Sequence, residues 1–250
     1  MYRILSLSSF LMVLAIAGSV QLPSEFKTCS RSAGNVNQCL ADAIQGGIAI
    51  LTKGSRSLGV LPIDPLLVTE MHINQGSGPV SIKLNFKDLL IHGVSNAKIN
   101  SVTFDVNNKL CKLILHASVY SPINLVAQYS IDGKVLVLPI SGHGNCNISL
   151  ANPEAKVELT GKEVTKDGVS YVIFTGLNFD LNPQRVEMHF DNLFNGDKTL
   201  GDNMNRFLNE NWKEVYSELK SPIEKAFGIT ILEVTNRIFS KVPAETIFPA

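Results

Sequence analysis

The most informative segment of this chain is residues 204–238, which read MNRFLNENWKEVYSELKSPIEKAFGITILEVTNRI. Apolar side chains recur there at the i, i+3, i+4 spacing of one helix face. The face is interrupted at Ser221-Pro222, where the proline either starts a new helix or kinks a continuous one. We expect a long kinked helix that Asp202 or Asn203 caps and Pro243 ends. The stripe comprises Met204, Phe207, Leu208, Asn211, Trp212, Val215, Tyr216, Leu219, Ile223, Ala226, Phe227, Ile231, Val234, Thr235 and Ile238.

Such a stripe must be buried, and the region from about 66 to 190 supplies a partner rich in strand patterns. Apolar and polar residues alternate in several segments, as in half-buried strands. These segments are 81–87, 102–106 and 185–191. Asp132-Gly133 is a two-residue hairpin signal with 134–140 as the return strand, and Asp167-Gly168 predicts another turn. Short connections predict an antiparallel meander, with the helix on its concave side.

A first helix is predicted near the start of the mature chain. Asn37 can cap this helix, and Gly54 can end it. Its apolar stripe consists of Leu40, Ala43, Ile44, Gly47, Ile48 and Leu51.

The N-terminus has the three parts of a secretory signal peptide. A basic start is followed by apolar residues 4–17 and then by small residues, so we expect cleavage between Ala17 and Ser19. A membrane anchor is the alternative, but a spanning helix needs about 20 apolar residues. We therefore predict a secreted, extracellular protein with a signal peptide at 1–19 and a single domain at 20–250.

The composition argues against two classes of protein. Basic and acidic residues both number 22, and charged residues make up 18% of the chain. A neutral chain without a basic block has little to offer a phosphate backbone, so we expect no nucleic-acid partner. A hydrophobic content of 45% argues against intrinsic disorder. The 21 asparagines are expected to make the surface polar without charge.

The four cysteines all lie in the predicted mature chain, where an even count indicates disulfides. Four cysteines allow three connectivities. The short loop between Cys29 and Cys39 favours that pair, and Cys111–Cys146 then follows by elimination. The alternative for Cys111 and Cys146 is two buried free thiols. No pair has C-x-x-C spacing or a histidine at ligand spacing, so we expect no metal site.

The search for catalytic motifs is negative, so we predict a protein that is not an enzyme. None of the five histidines forms H-E-x-x-H, and there is no G-x-S-x-G elbow and no P-loop. Gly142-His143-Gly144 lacks the third glycine and the following helix of a dinucleotide fingerprint. Asn147-Ile148-Ser149 is a glycosylation sequon, so Asn147 is a possible glycan acceptor.

Several segments, in order along nearly the whole mature chain, resemble the insect takeout and juvenile-hormone-binding protein family. The resemblance is closest in the central hairpin, residues 129–144, which read YSIDGKVLVLPISGHG. The segments are 22–29 with 39–44, 58–66, 129–144 and 207–219.

The resemblance implies an α+β fold of the α/β-wrap type. In that fold a strongly curved antiparallel sheet wraps a long C-terminal helix and encloses an apolar tunnel. It also implies a carrier of an elongated, uncharged, apolar small molecule, such as a terpenoid hormone, a fatty acid or a similar lipid, with no cofactor. The family's N-terminal cysteine pair corresponds to Cys29 and Cys39, whereas Cys111 and Cys146 depart from the pattern.

Tunnel-lining residues are expected on the inward stripe of the C-terminal helix and at facing strand positions. A closed core is the alternative for each of them, and Trp212 and Tyr216 are expected to be structural anchors. The predicted lining residues are Leu84, Phe86, Leu136, Leu138, Phe227, Ile231, Val234 and Ile238.

Two other functions are also compatible with the sequence. One is an esterase that acts on the same lipids. The other is a membrane-surface or protein-interaction module of the lipid-transfer type. We expect a monomer without stable membrane insertion, and a receptor is not identifiable from the sequence.

Overall fold

A computed structural model of the protein describes residues 20–107 and 109–249. The predicted signal peptide at 1–19 therefore lies outside the described residues. The helices are α1 (Val36–Leu51), α2 (Lys198–Glu210), α3 (Trp212–Phe239) and α4 (Ala244–Ile247). The strands are β1 (Leu66–Gln75), β2 (Val80–His92), β3 (Ala97–Asn107), β4 (Leu110–Val119), β5 (Ile123–Val135), β6 (Leu138–Ala151), β7 (Glu154–Lys166), β8 (Val169–Asn182) and β9 (Arg185–Phe190).

The predicted α+β architecture, a long C-terminal helix packed on antiparallel sheets, is confirmed. The strands form a five-stranded sheet in the order β1-β2-β5-β6-β9 and a four-stranded sheet in the order β3-β4-β7-β8. The simple meander was wrong, because the chain crosses between the two sheets four times, after β2, β4, β6 and β8. At the first crossing Gly93 has a φ of +94°, and a Cβ there would lie 2.9 Å from the Pro122 carbonyl oxygen at the second.

The C-terminal helix is divided at a different place from the predicted one. It begins at Lys198, because the Asp197 carboxylate accepts from the Leu200 N–H at 3.0 Å. The break falls at Asn211, whose backbone leaves the helical region while its side-chain amide donates to the Phe207 carbonyl at 2.8 Å. Pro222 lies inside α3, which continues without interruption.

The central hairpin also turns later than expected. Strand β5 continues through Asp132-Gly133, and the two-residue turn is Leu136-Val137, with Leu136 at a φ of +54°. Gly133 serves a different purpose, because a Cβ there would lie 2.2 Å from the Ser81 carbonyl oxygen of β2. The glycine thus permits two strands to approach closely. The predicted turn at Asp167-Gly168 is confirmed, and both residues have positive φ.

The predicted cap of α1 was wrong. The helix starts at Val36, and the Asn37 side chain instead accepts from the Phe104 N–H of β3 at 3.0 Å. Farther along α1, the Gln45 side-chain amide donates to the Ala97 carbonyl at 3.0 Å and accepts from the Ile99 N–H at 2.9 Å. Helix α1 therefore satisfies backbone groups along the free edge of the four-stranded sheet.

Helix side chains satisfy two further sheet edges in the same way. On α2, Asn205 exchanges two hydrogen bonds with the Phe190 backbone of β9. Asn209 does the same with the Met188 backbone, at 2.9 and 2.7 Å. On α3, Asn236 exchanges two hydrogen bonds with the Phe174 backbone of β8. We call this arrangement amide edge pairing, because each amide substitutes for a neighbouring strand.

The apolar core divides into two large clusters that share α3. The first packs the inner face of the five-stranded sheet against α2 and the first half of α3, which contributes Val215 and Leu219. The second packs the four-stranded sheet against α1, the residues around Phe248 and the second half of α3. A smaller cluster around Leu58 and Val242 joins the N-terminal segment to the end of α3.

Amide edge pairing leads to a prediction for Asn209. We expect Asn209→Ala to lower the free energy of unfolding by about 2 kcal/mol, because it leaves the Met188 N–H and carbonyl without partners. Urea denaturation followed by circular dichroism measures this change.

The matched control is Asn203→Ala, at an exposed position of the same helix. Asn203→Ala gains the same helix propensity as Asn209→Ala, about 0.5 kcal/mol, but it removes no hydrogen bond to a strand edge. Equal stability of the two variants would contradict a stabilising role for the Asn209 pairing.

Candidate functional site

An apolar cavity of about 80 Å³ lies in the first core cluster. We call it the closed cavity, because most of the side chains that line it are buried. The inner face of the five-stranded sheet forms one wall, through residues such as Leu84, Phe86 and Ile131. The opposite wall comes from α2 and from α3 as far as Phe227, through Leu208, Val215 and Phe227 among others.

Among the described residues that line this cavity, Tyr216 is the one with a polar side-chain atom. Its hydroxyl donates to the Leu181 carbonyl of β8 at 2.7 Å. Burial raises the pKa of Tyr216 above the ordinary phenol value, and the nearby Glu224 carboxylate adds to this shift. The hydroxyl therefore stays protonated, and it already donates its proton in the hydrogen bond to the Leu181 carbonyl.

A second space, of about 510 Å³, is an open groove between β1 and α3. We call it the β1–α3 groove. Leu66 and Val68 line it from the strand, and Ala226 and Val234 line it from the helix. Its polar lining is supplied by Thr69, Glu70, His72, Thr230, Glu233 and Arg237. Arg237 is already paired with Glu233 at 2.6 Å, so the groove presents no free cation from this residue.

The predicted lining residues fall into four places. Leu84, Phe86 and Phe227 line the closed cavity, whereas Val234 lines the groove. Ile231 and Ile238 pack against the second and third core clusters. Leu136 lies in the hairpin turn, and Leu138 is 37% exposed.

The Leu136 and Leu138 assignments depended on a turn at Asp132-Gly133. The later turn places Val135 and Ile140 inward instead, and Val135 lines the cavity. The same alternation argument could have identified Met71 and Met188, which also line the cavity and lie on the two edge strands of the five-stranded sheet. Tyr216, expected as an anchor, both anchors α3 to β8 and lines the cavity.

The histidines form no catalytic arrangement with the residues of the closed cavity. His72, His116, His143 and His189 are exposed, and His92 is half-buried. His72 lines the groove, where its Nδ1 lies 2.7 Å from the Asn85 side-chain oxygen. In the part of the chain that the structure describes, no three His, Cys, Asp or Glu residues form a group that could hold a metal ion.

The cysteine prediction was half correct. The Cys29–Cys39 disulfide is present, and it ties the N-terminal segment to α1. The Cys111–Cys146 disulfide was wrong, and both residues are buried free thiols. They lie on β4 and β6, which belong to different sheets and different core clusters. Burial raises the pKa of Cys111, and it raises the pKa of Cys146 to about 12.

The sequon residue Asn147 lies on β6, with its side chain exposed on the outer face of the five-stranded sheet. Its strand neighbours are Val126 and His189. The side chain is therefore on the opposite face from the closed cavity, and a glycan there would not obstruct the cavity.

Comparison with known proteins gives consistent results. Residues 8–249 match the family model described as haemolymph juvenile hormone binding protein (JHBP). The circadian clock-controlled protein daywake of Drosophila melanogaster is 24% identical over 93% of this chain and 90% of its own length. A putative beta-carotene-binding protein of Schistocerca gregaria is 25% identical over 89% of this chain and 88% of its own length. The crystal structure of Epiphyas postvittana Takeout 1 superimposes with a TM-score of 0.76 and 25% identity, over 90% of this chain and all of that one.

The thiol assignment predicts how the protein reacts with Ellman's reagent. Without reductant, we expect two thiols per chain after denaturation and a much slower reaction at pH 8 in the folded state. The raised pKa values keep the buried thiols protonated, and the thiolate is the reactive form. Reduction before denaturation should raise the count to four, because Cys29 and Cys39 are then included. A count of zero in the unreduced, denatured protein would indicate that Cys111 and Cys146 are paired.

Proposed function

The chain belongs to the haemolymph juvenile hormone binding protein family, and on that premise we propose that it is a secreted carrier of an elongated apolar small molecule. The molecule would occupy an internal hydrophobic tunnel formed around the closed cavity. The observation that carries the proposal is the cavity itself, with apolar side chains from both a sheet and a helix and a single polar hydroxyl.

The proposed mechanism is transfer of hydrocarbon out of water, without a chemical reaction. Burial of apolar surface contributes about 25 cal/mol per Å². A ligand that buries about 400 Å² would gain about 10 kcal/mol. The loss of translational and rotational freedom offsets several kcal/mol of this gain. Micromolar or tighter binding is then reachable without any charged contact.

The ligand is expected to be uncharged in the part that enters the cavity. Burial of a carboxylate without a partner is strongly unfavourable, and the Tyr216 proton is already bound to the Leu181 carbonyl. A terpenoid, a polyene or the hydrocarbon chain of a lipid fits this environment. The name of the Schistocerca gregaria relative points to the same chemical class, because carotene is a hydrocarbon.

The cavity must enlarge to hold such a molecule. Binding sites for drug-sized ligands occupy about 300–1,000 Å³, whereas the closed cavity occupies about 80 Å³. Its lining includes Met71 and Met188, and methionine repacks easily because it is unbranched and has three rotatable bonds. We propose that such side chains repack around the ligand and enlarge the cavity once the ligand is inside.

The remaining features of the proposal follow from the sequence. Secretion is inferred from the signal peptide predicted at 1–19, followed by one ligand-binding domain at 20–250. The carrier would act as a monomer, without nucleic acid, and the proposal assigns it no enzymatic activity. Within the described ranges, no helix is long and apolar enough to cross a bilayer.

Filling the cavity tests the carrier proposal. We expect Leu84→Trp to weaken binding of the fluorescent probe N-phenyl-1-naphthylamine at least tenfold, because the indole occupies space that the probe needs. A tenfold loss corresponds to about 1.4 kcal/mol. Leu84→Phe adds less volume and should give an intermediate loss.

The control for cavity filling is Val126→Trp. Val126 lies on the outer face of the same sheet and is 41% exposed, so its replacement should leave probe affinity unchanged. Circular dichroism would check that each variant is folded. Probe binding that is absent from the unmodified protein, or equal in all variants, would contradict the proposal. Native mass spectrometry of the secreted protein then identifies the molecule that it carries.

We also propose that Asn147 carries a glycan in the secreted protein. Its side chain is exposed, and Cys146 is not part of a disulfide that would hinder access. Peptide N-glycosidase should lower the mass of the secreted wild-type protein and leave the mass of Asn147→Gln unchanged. A wild-type mass equal to that of the bare mature chain would contradict this assignment.

A further inference from the structure

The closed cavity and the β1–α3 groove are adjacent, and Met71 lines both of them. Its side chain is only 4% exposed, although the groove is open to solvent. On the helix, Ala226 lines the groove and the next residue, Phe227, lines the cavity. A thin partition of Met71 and this part of α3 therefore separates the two spaces.

The strand that carries Met71 is held less firmly than the other sheet edges. Helices α1, α2 and α3 hydrogen-bond the backbones of the edge strands β3, β9 and β8. For β1, the fourth edge, the described residues include no helix side chain bonded to its backbone. Beyond its pairing with β2, it has an isolated bridge between Ile63 and Leu66 at its start. An outward movement of β1 at Met71 would thus break no helix–strand hydrogen bond.

The facing part of α3 is incompletely covered. Ile229 is 61% exposed, and Ala226, Phe227 and Thr230 are only half-buried. In the first half of the same helix, by contrast, Val215 and Leu219 are fully buried. The face of α3 that borders β1 is therefore more open to solvent than the positions of Val215 and Leu219.

From these three observations we propose that apolar ligands enter and leave the closed cavity through the β1–α3 groove, past Met71 as a gate. This inference rests on the carrier function proposed above and adds the route. Rotation of the flexible Met71 side chain joins the two spaces, whose combined volume falls within the range of known ligand sites.

The route also selects a class of ligand. The apolar end of an elongated molecule would lie in the cavity, and the other end would remain in the groove. There it meets Glu70 and Glu233, while Arg237 is already paired with Glu233. An uncharged end such as an alcohol, an ester or a plain hydrocarbon suits this setting better than a carboxylate, because Glu70 would repel a carboxylate and the charges of Glu233 and Arg237 compensate each other.

A gate differs from an ordinary lining residue in its kinetic effect. A conformational step before binding slows association, whereas the loss of a contact in the bound state mainly accelerates dissociation. We therefore expect Met71→Ala to raise the association and dissociation rate constants of N-phenyl-1-naphthylamine together, roughly tenfold each. The dissociation constant should change less than either rate. Stopped-flow fluorescence measures both rates.

The matched control is Met188→Ala. Met188 lines the same cavity from the opposite edge strand, whose backbone Asn209 holds, and it does not line the groove. Its truncation should leave the association rate unchanged and affect only dissociation. A second gate variant, Met71→Leu, keeps the volume but is stiffer, so both rates should fall while affinity is retained. It also tests the gate if Met71→Ala does not fold.

The possible outcomes separate the two proposals. If the wild-type protein binds the probe but the Met71 variants leave both rates unchanged, or change them as Met188→Ala does, the route is wrong and the carrier function stands. If the wild-type protein binds no probe, both proposals fail. Coupled changes in both rates at Met71 alone would support the route.

Discussion

Amide edge pairing is the interaction on which the rest of this structure depends. The edge of a β-sheet carries backbone N–H and carbonyl groups that lose water when another element covers them. Here the covering elements are helices, which cannot extend the ladder with their own backbone. Asn205, Asn209 and Asn236 supply the missing donors and acceptors in pairs, and Gln45 does so for β3. Each amide fixes a helix to one position along an edge strand, so it places the helix relative to the sheet as well as satisfying the edge.

This means of attachment explains why space remains inside the protein. A helix held by polar bonds at sheet edges is positioned independently of how well its apolar side chains fill the interior. Val215 and Leu219 are buried and line the cavity, whereas Ala226 and Thr230 farther along α3 are half-buried and line the groove. The cavity and the groove therefore follow each other along α3 and overlap at Ala226 and Phe227. A core held together by apolar contacts alone would tend to collapse into such voids, since empty space costs dispersion energy.

The sequence predicted the elements and the fold class well, and the connections less well. Alternation identified Leu84 and Phe86 as inward residues because a half-buried strand leaves a period of two. The same rule failed at Leu136 and Leu138, because the hairpin does not turn at Asp132-Gly133. Gly133 instead allows β5 and β2 to approach closely. The sequence predicts that the asparagines make the surface polar, yet several of them form hydrogen bonds with backbone groups of the edge strands. Residue type alone cannot separate these uses, since each depends on a partner distant in the sequence. The two free cysteines illustrate the same limit, because elimination pairs residues without regard to the sheets that separate them.

The neutral composition takes on a more specific meaning once the edges are considered. A charged side chain could also satisfy a strand edge, as Glu224 does for the Leu181 N–H. That arrangement places a carboxylate close to the interior, and here the charge is compensated by Lys220. Amides satisfy both a donor and an acceptor with no net charge and need no such compensation. Asparagine at the sheet edges therefore leaves the interior without a charge that needs a partner, which suits the uncharged apolar ligand proposed above. Among the residues that the structure describes, helix amides serve three sheet edges, and the edge without them is the one that borders the open groove.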